Sequence, residues 1–128
     1  MQNMSCPTIS VVLPCFNAAA TLPKALDSLL RQTRPDFEVI AADDGSTDET
    51  PRLLRRYAQL DTRIRPLFLP HRGIAATLNT GLEQARGRYI ARMDADDVSL
   101  PERLEEQARY LEKHACIGLV GCRVIYGG

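Results

Sequence analysis

The sequence predicts an α/β domain with a mainly parallel sheet covered by helices on both faces. Three observations carry that prediction. Short, β-branched apolar runs alternate with amphipathic stretches of helical spacing, the pattern of strand-helix-strand units. Each apolar run is followed by a polar cluster. The chain has 128 residues and is 45% hydrophobic, which suits one domain with a real core.

Thr8-Ile9-Ser10-Val11-Val12-Leu13, closed by Pro14, reads as a first strand buried on both faces. Pro14 to Asn17 is the expected loop. From Thr21 onward, Leu22, Ala25, Leu26, Leu29 and Leu30 recur at helical spacing, with Thr21 as the expected N-cap and Pro23 in the first turn. Phe37 to Ala42 is the second strand, Asp43 to Asp48 a polar turn, and Glu49 to Leu60 a helix. Ile64 to Leu69 is the third strand, followed by Pro70-His71-Arg72-Gly73 and a helix from Ile74 to Ala85. Arg88 to Met93 is the fourth strand, Pro101 opens a helix running to Lys113, and Ile117 to Ile125 is strand-like. Residues 1–7 read as a loose tail, and residues 8–128 as the domain. Because the strand-like run is followed only by Tyr126-Gly127-Gly128, the domain is expected to continue into further polypeptide.

Sixteen basic and sixteen acidic residues leave no net charge, so no global field attracts nucleic acid or an anionic membrane. Any anionic ligand must be recognised locally. Fourteen of the basic residues are arginine, the side chain suited to forked phosphate contacts. Cys6, Cys15, Cys116 and Cys122 show no zinc spacing and read as reduced thiols of a cytoplasmic protein. No apolar run reaches the length of a membrane span, and the N-terminus has no signal-peptide pattern.

In parallel sheets ligands bind beyond the carboxyl ends of the strands. Pro14 to Asn17, Asp43 to Asp48, His71 to Gly73 and Asp94 to Asp97 all follow predicted strands, so they should share one rim. Asp94, Asp96 and Asp97 put three carboxylates within four positions. Such a cluster repels itself unless a cation or several donors relieve it. A hard ion, Mg²⁺ or Mn²⁺, takes one or two carboxylates and leaves its other positions to water and phosphates. The competing reading has these aspartates end a strand and cap the helix near Pro101; for Asp97 that structural role is favoured, for Asp94 and Asp96 metal binding. Asp43 or Asp44 could accept an imide N–H from a nucleobase, and Arg72 could approach a pyrophosphate.

The order P-C-F-N, D-D-G-S-T-D, G-x-x-x-x-L-N-x-G-L-x-x-A-x-G-x-Y-I, M-D-A-D-D and L-P-E-R-L, running from about Ile9 to Val124, resembles the family 2 inverting glycosyltransferases of GT-A fold. One D-x-D occurs by chance in many proteins; five ordered motifs are specific. The resemblance implies a GT-A (Rossmann-like) three-layer sandwich. It implies that Pro14, Phe16 and Asn17 form the first nucleotide-binding loop, and that Asp44, with Asp43 beside it, reads the base, usually uracil. The D-x-D match brings in Asp94, Ala95 and Asp96; Arg72 and Gly73 are placed in the nucleotide-sugar site from their own position after the third strand, with a plain surface role for Arg72 equally open. Asp94 belongs near the ribose and metal, and Asp96 ligates the metal on the diphosphate. Asp97, Pro101, Glu102 and Arg103 are implied to be structural, and Gly45 to make a tight turn.

Other residues receive plainer readings. His71 is taken as a solvated loop residue, Asn79 as a hydrogen-bonding tie between helix and loop, and Cys15 as chemically inert. The activity so implied is transfer of a sugar from a nucleotide diphosphate, with a UDP-sugar favoured, to a hydroxyl of a carbohydrate, lipid or protein acceptor. The chain would be cytoplasmic, the inner face of the membrane included. The catalytic base is expected beyond residue 128, so the chain alone should not turn over. Three alternatives stand beside this: a nucleotide-sugar-binding domain without transfer activity, a nucleotidyltransferase and a phosphoacceptor receiver. The second wants a basic Gly-rich loop after the first strand, and the third a strand-ending lysine; neither is present.

Overall fold

A computed structural model describes residues 6–125; most of the expected tail, and Tyr126 to Gly128, lie outside the described residues. Four strands alternate with four helices: β1 (Ile9–Cys15), α1 (Leu22–Leu30), β2 (Phe37–Asp44), α2 (Thr50–Leu60), β3 (Ile64–Leu69), α3 (Ile74–Glu83), β4 (Tyr89–Arg92) and α4 (Arg103–Lys113). The sheet has the order β3-β2-β1-β4, and every pairing is parallel. The chain moves from β1 through β2 to β3 in one direction, then returns to place β4 on the other side of β1. Such a reversal opens a crevice beyond the strand ends, here between the loops that follow β1 and β4.

Strand alternation sorts the side chains. Ile9, Val11, Leu13, Phe37, Val39 and Ala41 join Leu22, Leu26 and Leu29 of α1, Leu54 of α2 and Leu104 and Ala108 of α4 in one core. On the opposite face α3 packs over β1 and β2. It can do so because residue 81 is glycine: a Cβ there would lie 2.8 Å from Val12 Cγ1. Three layers result.

β1 and β2 both run longer than expected, so Pro14, Cys15, Asp43 and Asp44 are strand residues rather than loop. The reason is pairing: Pro14 and Cys15 lie opposite Ala42 and Asp43, while Asp43 and Asp44 lie opposite Phe68 and Leu69. Pro14 is tolerated because the β4 ladder has ended. Val12 accepts the Met93 amide on the β4 side; Pro14, two residues on, faces the same side past the last pair, Val12 and Arg92.

Other expectations are corrected. Thr21 occupies the N-cap of α1 without a side-chain capping bond; its backbone is helical and its hydroxyl points back to the Ala18 carbonyl. α4 begins at Arg103 rather than Pro101, with Glu102 at its cap position and no side-chain cap, so Asp97 does not cap it. Asn79 makes no side-chain hydrogen bond among the described residues. It is exposed, because Thr77 and Gly81 occupy the inward face of α3 and Asn79 falls opposite them. Ile117 to Ile125 forms no strand. Leu119, Val124 and Ile125 stay exposed, and among the described residues no backbone bond ties 118–125 to the sheet; apolar β-branched composition makes no strand without a ladder partner.

Away from the carboxyl ends of the strands, Glu38 anchors a buried polar network. One carboxylate oxygen accepts the Ser10 hydroxyl at 2.7 Å and the Arg86 amide at 2.9 Å; the other accepts from Arg65 at 2.7 Å and from the Arg86 guanidinium at 3.0 Å. Ser10 Oγ in turn accepts the Gly87 amide at 2.7 Å. The turn into β4 is thereby fixed against β1. A Cβ on Gly87 would sit 2.6 Å from the Ser10 nitrogen, so this close approach requires glycine.

Candidate functional site

The four polar clusters lie along one rim, and the first three are bonded to one another. After β1, Asn17 adopts a left-handed conformation with φ of 48°, which asparagine tolerates better than most residues. Its side-chain carbonyl accepts the Thr47 amide at 2.8 Å and the Asp48 amide at 3.3 Å. Its own amide donates to Ser46 Oγ at 2.8 Å, and the Ala18 and Ala19 amides donate to Thr50 Oγ1 and Asp48 Oδ2. The loops after β1 and β2 are therefore stitched together, with the Asn17 Nδ2 group uncommitted.

Both aspartates at the end of β2 are buried, and each has donors. Asp43 accepts from the Ser46 amide and hydroxyl. Asp44 accepts the Arg72 amide on Oδ1 at 2.8 Å and the Gly73 amide on Oδ2 at 3.1 Å. The Arg72 amide is the main reason the Asp44 carboxyl stays below the usual carboxylate value; burial opposes the shift, and the Thr77 hydroxyl, the Gly73 amide and His71 add to it. Asp44 is thus an anion at neutral pH. Gly45 makes the tight turn expected of it, with φ of 72°.

His71 is not merely solvated. Its ring stacks on Phe16, with centroids 4.4 Å apart and planes 22° apart, and Nδ1 lies 3.0 Å from both the Asp44 carbonyl and carboxylate oxygens. The three loops meet at this ring. No sequence signal reveals it, since a lone loop histidine looks the same with or without a neighbour. Arg72 contributes its amide to Asp44, while its exposed side chain borders a small hollow with Leu69, Ala76 and Thr80. Gly73 has φ of 95° and caps α3.

At the crevice between β1 and β4, Pro14, Phe16, Asn17, Ala18, Thr21, Ala95 and Asp96 line a cleft of about 330 Å³. Met93 and Ala95 are buried and anchor the segment, while Asp94, Asp96 and Asp97 are exposed. The Asp97 amide bonds the Asp94 carbonyl at 3.1 Å. That turn gathers the side chains, and each of the three aspartates offers an oxygen within 4.8 Å of the others. Asp97, expected to be structural, joins the cluster. Arg92 approaches Asp94 at 3.4 Å as an exposed partner. An all-carboxylate, solvent-facing donor set fits a hard divalent ion that keeps several waters. The Cys15 thiol is buried, and burial, assisted by Asp43, pushes its pKa up to about 12, so thiol chemistry is out of reach.

The described site therefore brings Pro14, Phe16, Asn17, Ala95 and Asp96 into one cleft, with Asp94 and Asp97 at its edge. Phe16 connects that cleft, through His71, to Asp44. The sequence profile described as Glycosyl transferase family 2 matches residues 10–128. The chain belongs to that family.

Among its relatives are the putative glycosyltransferase EpsE of Bacillus subtilis, 41% identical over 90% of this chain and 42% of its own length, and the putative teichuronic acid biosynthesis glycosyltransferase TuaG of the same organism, 37% identical over 86% of this chain and 44% of its own. The family 2 chain spans less than half the length of either. Two solved structures share its fold. S. aureus TarS in complex with UDP-GlcNAc superposes with a TM-score of 0.79 at 29% identity, over 84% of this chain and 32% of that one. The mannosyltransferase PcManGT from Pyrobaculum calidifontis, in complex with GDP-Man and Mn²⁺, gives 0.73 at 30% identity, over 84% and 33%. The fold is the GT-A three-layer arrangement. No helix among the described residues is long and apolar enough to cross a membrane.

Proposed function

We propose that this family 2 chain carries the donor-binding half of a metal-dependent, inverting glycosyltransferase that uses a nucleotide diphosphate sugar, with a UDP-sugar favoured. The carrying observation is the shared rim: Phe16, Asn17 and Asp96 face one cleft, and Asp44 is joined to it through Phe16 and His71. In this reading Phe16 and Pro14 supply the flat apolar surface for the base and Asp44 accepts its ring N–H. Uracil and guanine both present such a donor beside a carbonyl, consistent with the UDP and GDP ligands of the two structural relatives. Asn17 Nδ2, the Gly73 loop and Arg72 provide donors for ribose and phosphate oxygens.

Asp94 and Asp96, with Asp97 beside them, would hold Mg²⁺ or Mn²⁺. That ion, when bound, supplies Lewis-acid stabilisation of the departing diphosphate. Inversion requires an acceptor hydroxyl to attack the anomeric carbon opposite the diphosphate, helped by a carboxylate base; the reading gives that role to no residue of this chain. The acceptor is a hydroxyl of a carbohydrate, lipid or protein, and the setting is cytoplasmic.

Calorimetric titration of the full-length protein with UDP and GDP, with and without Mn²⁺, tests this reading. It predicts Mn²⁺-dependent affinity for UDP exceeding that for GDP, and loss of the metal dependence in Asp96→Ala. Metal-dependent affinity that survives the substitution removes Asp96 from its assigned role.

A further inference from the structure

His71 makes, at one time, both contacts that the proposed donor site requires of a nucleobase. Its flat ring lies on Phe16 at 4.4 Å between centroids, and its Nδ1 faces two oxygens of Asp44 at 3.0 Å. A nitrogen facing two acceptors carries the proton, so Nδ1–H donates there as an imide N–H would. There is no room for a third ring between them: each stacked pair of aromatics takes roughly 4.5 Å between centroids, so an inserted base needs about twice the observed separation.

The Asp44 carboxylate accepts two main-chain amides, from Arg72 and Gly73, and the buried Thr77 hydroxyl also lies against it. The exposed neighbour is the imidazole, whose side chain is 59% exposed over a carboxylate that is only 7% exposed. The imidazole is thus the movable cover on the buried acceptor. The backbone beneath it is pinned. Besides those two amides, the main chain of His71 packs so closely on Gly45 that a Cβ there would lie 2.8 Å from the His71 nitrogen. Rotation about the His71 Cα–Cβ bond frees both Phe16 and Asp44 without moving the loop.

We propose that His71 is a stand-in for the nucleobase, occupying the base subsite in the free protein and rotating out when a nucleoside diphosphate enters. The proposal rests on the donor-site reading above. It makes His71 a built-in competitor for the base subsite: a base gains the site only by replacing a stack on Phe16 and an N–H bond to Asp44 together.

The test is the affinity of full-length protein and its His71→Ala variant for UDP and for pyrophosphate, both with Mn²⁺. Without the competing ring, UDP should bind about threefold to tenfold more tightly, the fold-change expected from one aromatic stack, while pyrophosphate, which has no base, binds unchanged. His71→Phe, which keeps a ring on Phe16, should gain less than the alanine variant. The nuclear Overhauser contact between the His71 and Phe16 rings should vanish on saturation with UDP. Unchanged or weaker UDP binding in His71→Ala, or a ring contact that persists in the complex, overturns the proposal while leaving the donor reading intact. Failure of the wild-type protein to bind UDP with Mn²⁺ overturns both.

Discussion

Replacing Glu38 isolates the network that ties β4, and so the Asp94 loop, to the rest of the sheet. Glu38 is 3% exposed, whereas its guanidinium partners Arg65 and Arg86 are 27% and 52% exposed. In Glu38→Gln the amide oxygen keeps the Ser10 hydroxyl and Arg86 amide, and the amide nitrogen turns toward the two guanidiniums. Three charge-assisted bonds from the two guanidiniums are lost, but water reaches both arginines, so the expected loss is about 2 kcal/mol. Glu38→Ala also strips the acceptor from the Ser10 hydroxyl and Arg86 amide, raising the loss to about 3–5 kcal/mol. Either is a large share of the roughly 5–15 kcal/mol typical of a small domain. Urea denaturation at neutral pH measures both. A loss below about 1 kcal/mol for Glu38→Ala would refute the reasoning, because buried donors without acceptors cost more than that.

Further outcomes follow from the same geometry. Gly87→Ala forces a methyl into the Ser10 backbone and should lower stability by about 1–3 kcal/mol or more, read as a fall in thermal midpoint. Acidification should destabilise the fold. Glu38 is buried, which opposes its charge, yet the Arg86 amide, Ser10 hydroxyl and the guanidiniums hold its pKa below the ordinary 4.5, and Asp44 lies below 3.8. Depressed folded-state values mean stability that is present above the unfolded values and lost as pH falls through the folded ones. The urea midpoint should therefore drop on acidification below 4.5, and a midpoint that rises there contradicts the assignment. Asp97→Asn should weaken Mn²⁺ binding less than Asp96→Ala, because Asp97 sits in the cluster but not among the cleft-lining residues; manganese relaxation titration compares the two.

Much of this architecture is legible in the sequence because the strands are short apolar runs and the helices keep their spacing. Leu22, Leu26 and Leu29 fall on one face whatever else happens, and the polar clusters must then follow the strands. What is not legible depends on partners far along the chain. Cys15 and Asp44 are strand rather than loop because Asp43 and Leu69 stand opposite them. Apolar composition alone gave Ile117 to Ile125 the look of a strand, but the described residues offer it no ladder. Asp97 stands one position from Asp96 and three from Asp94, and the backbone turn that gathers all three is a matter of dihedral angles. Asn17 and Asp44 each spend hydrogen-bonding capacity on neighbouring loops, a structural duty that motif reading cannot separate from ligand contact.

Crystals grown with UDP and Mn²⁺ and measured at the manganese absorption edge would probe the shared rim most directly. The predicted result is one anomalous peak within about 2.0–2.2 Å of an Asp96 carboxylate oxygen, with the uracil ring on Phe16 and its N–H directed at Asp44. A manganese peak away from the Asp94 to Asp97 turn, or a base bound out of reach of Asp44, would contradict the account.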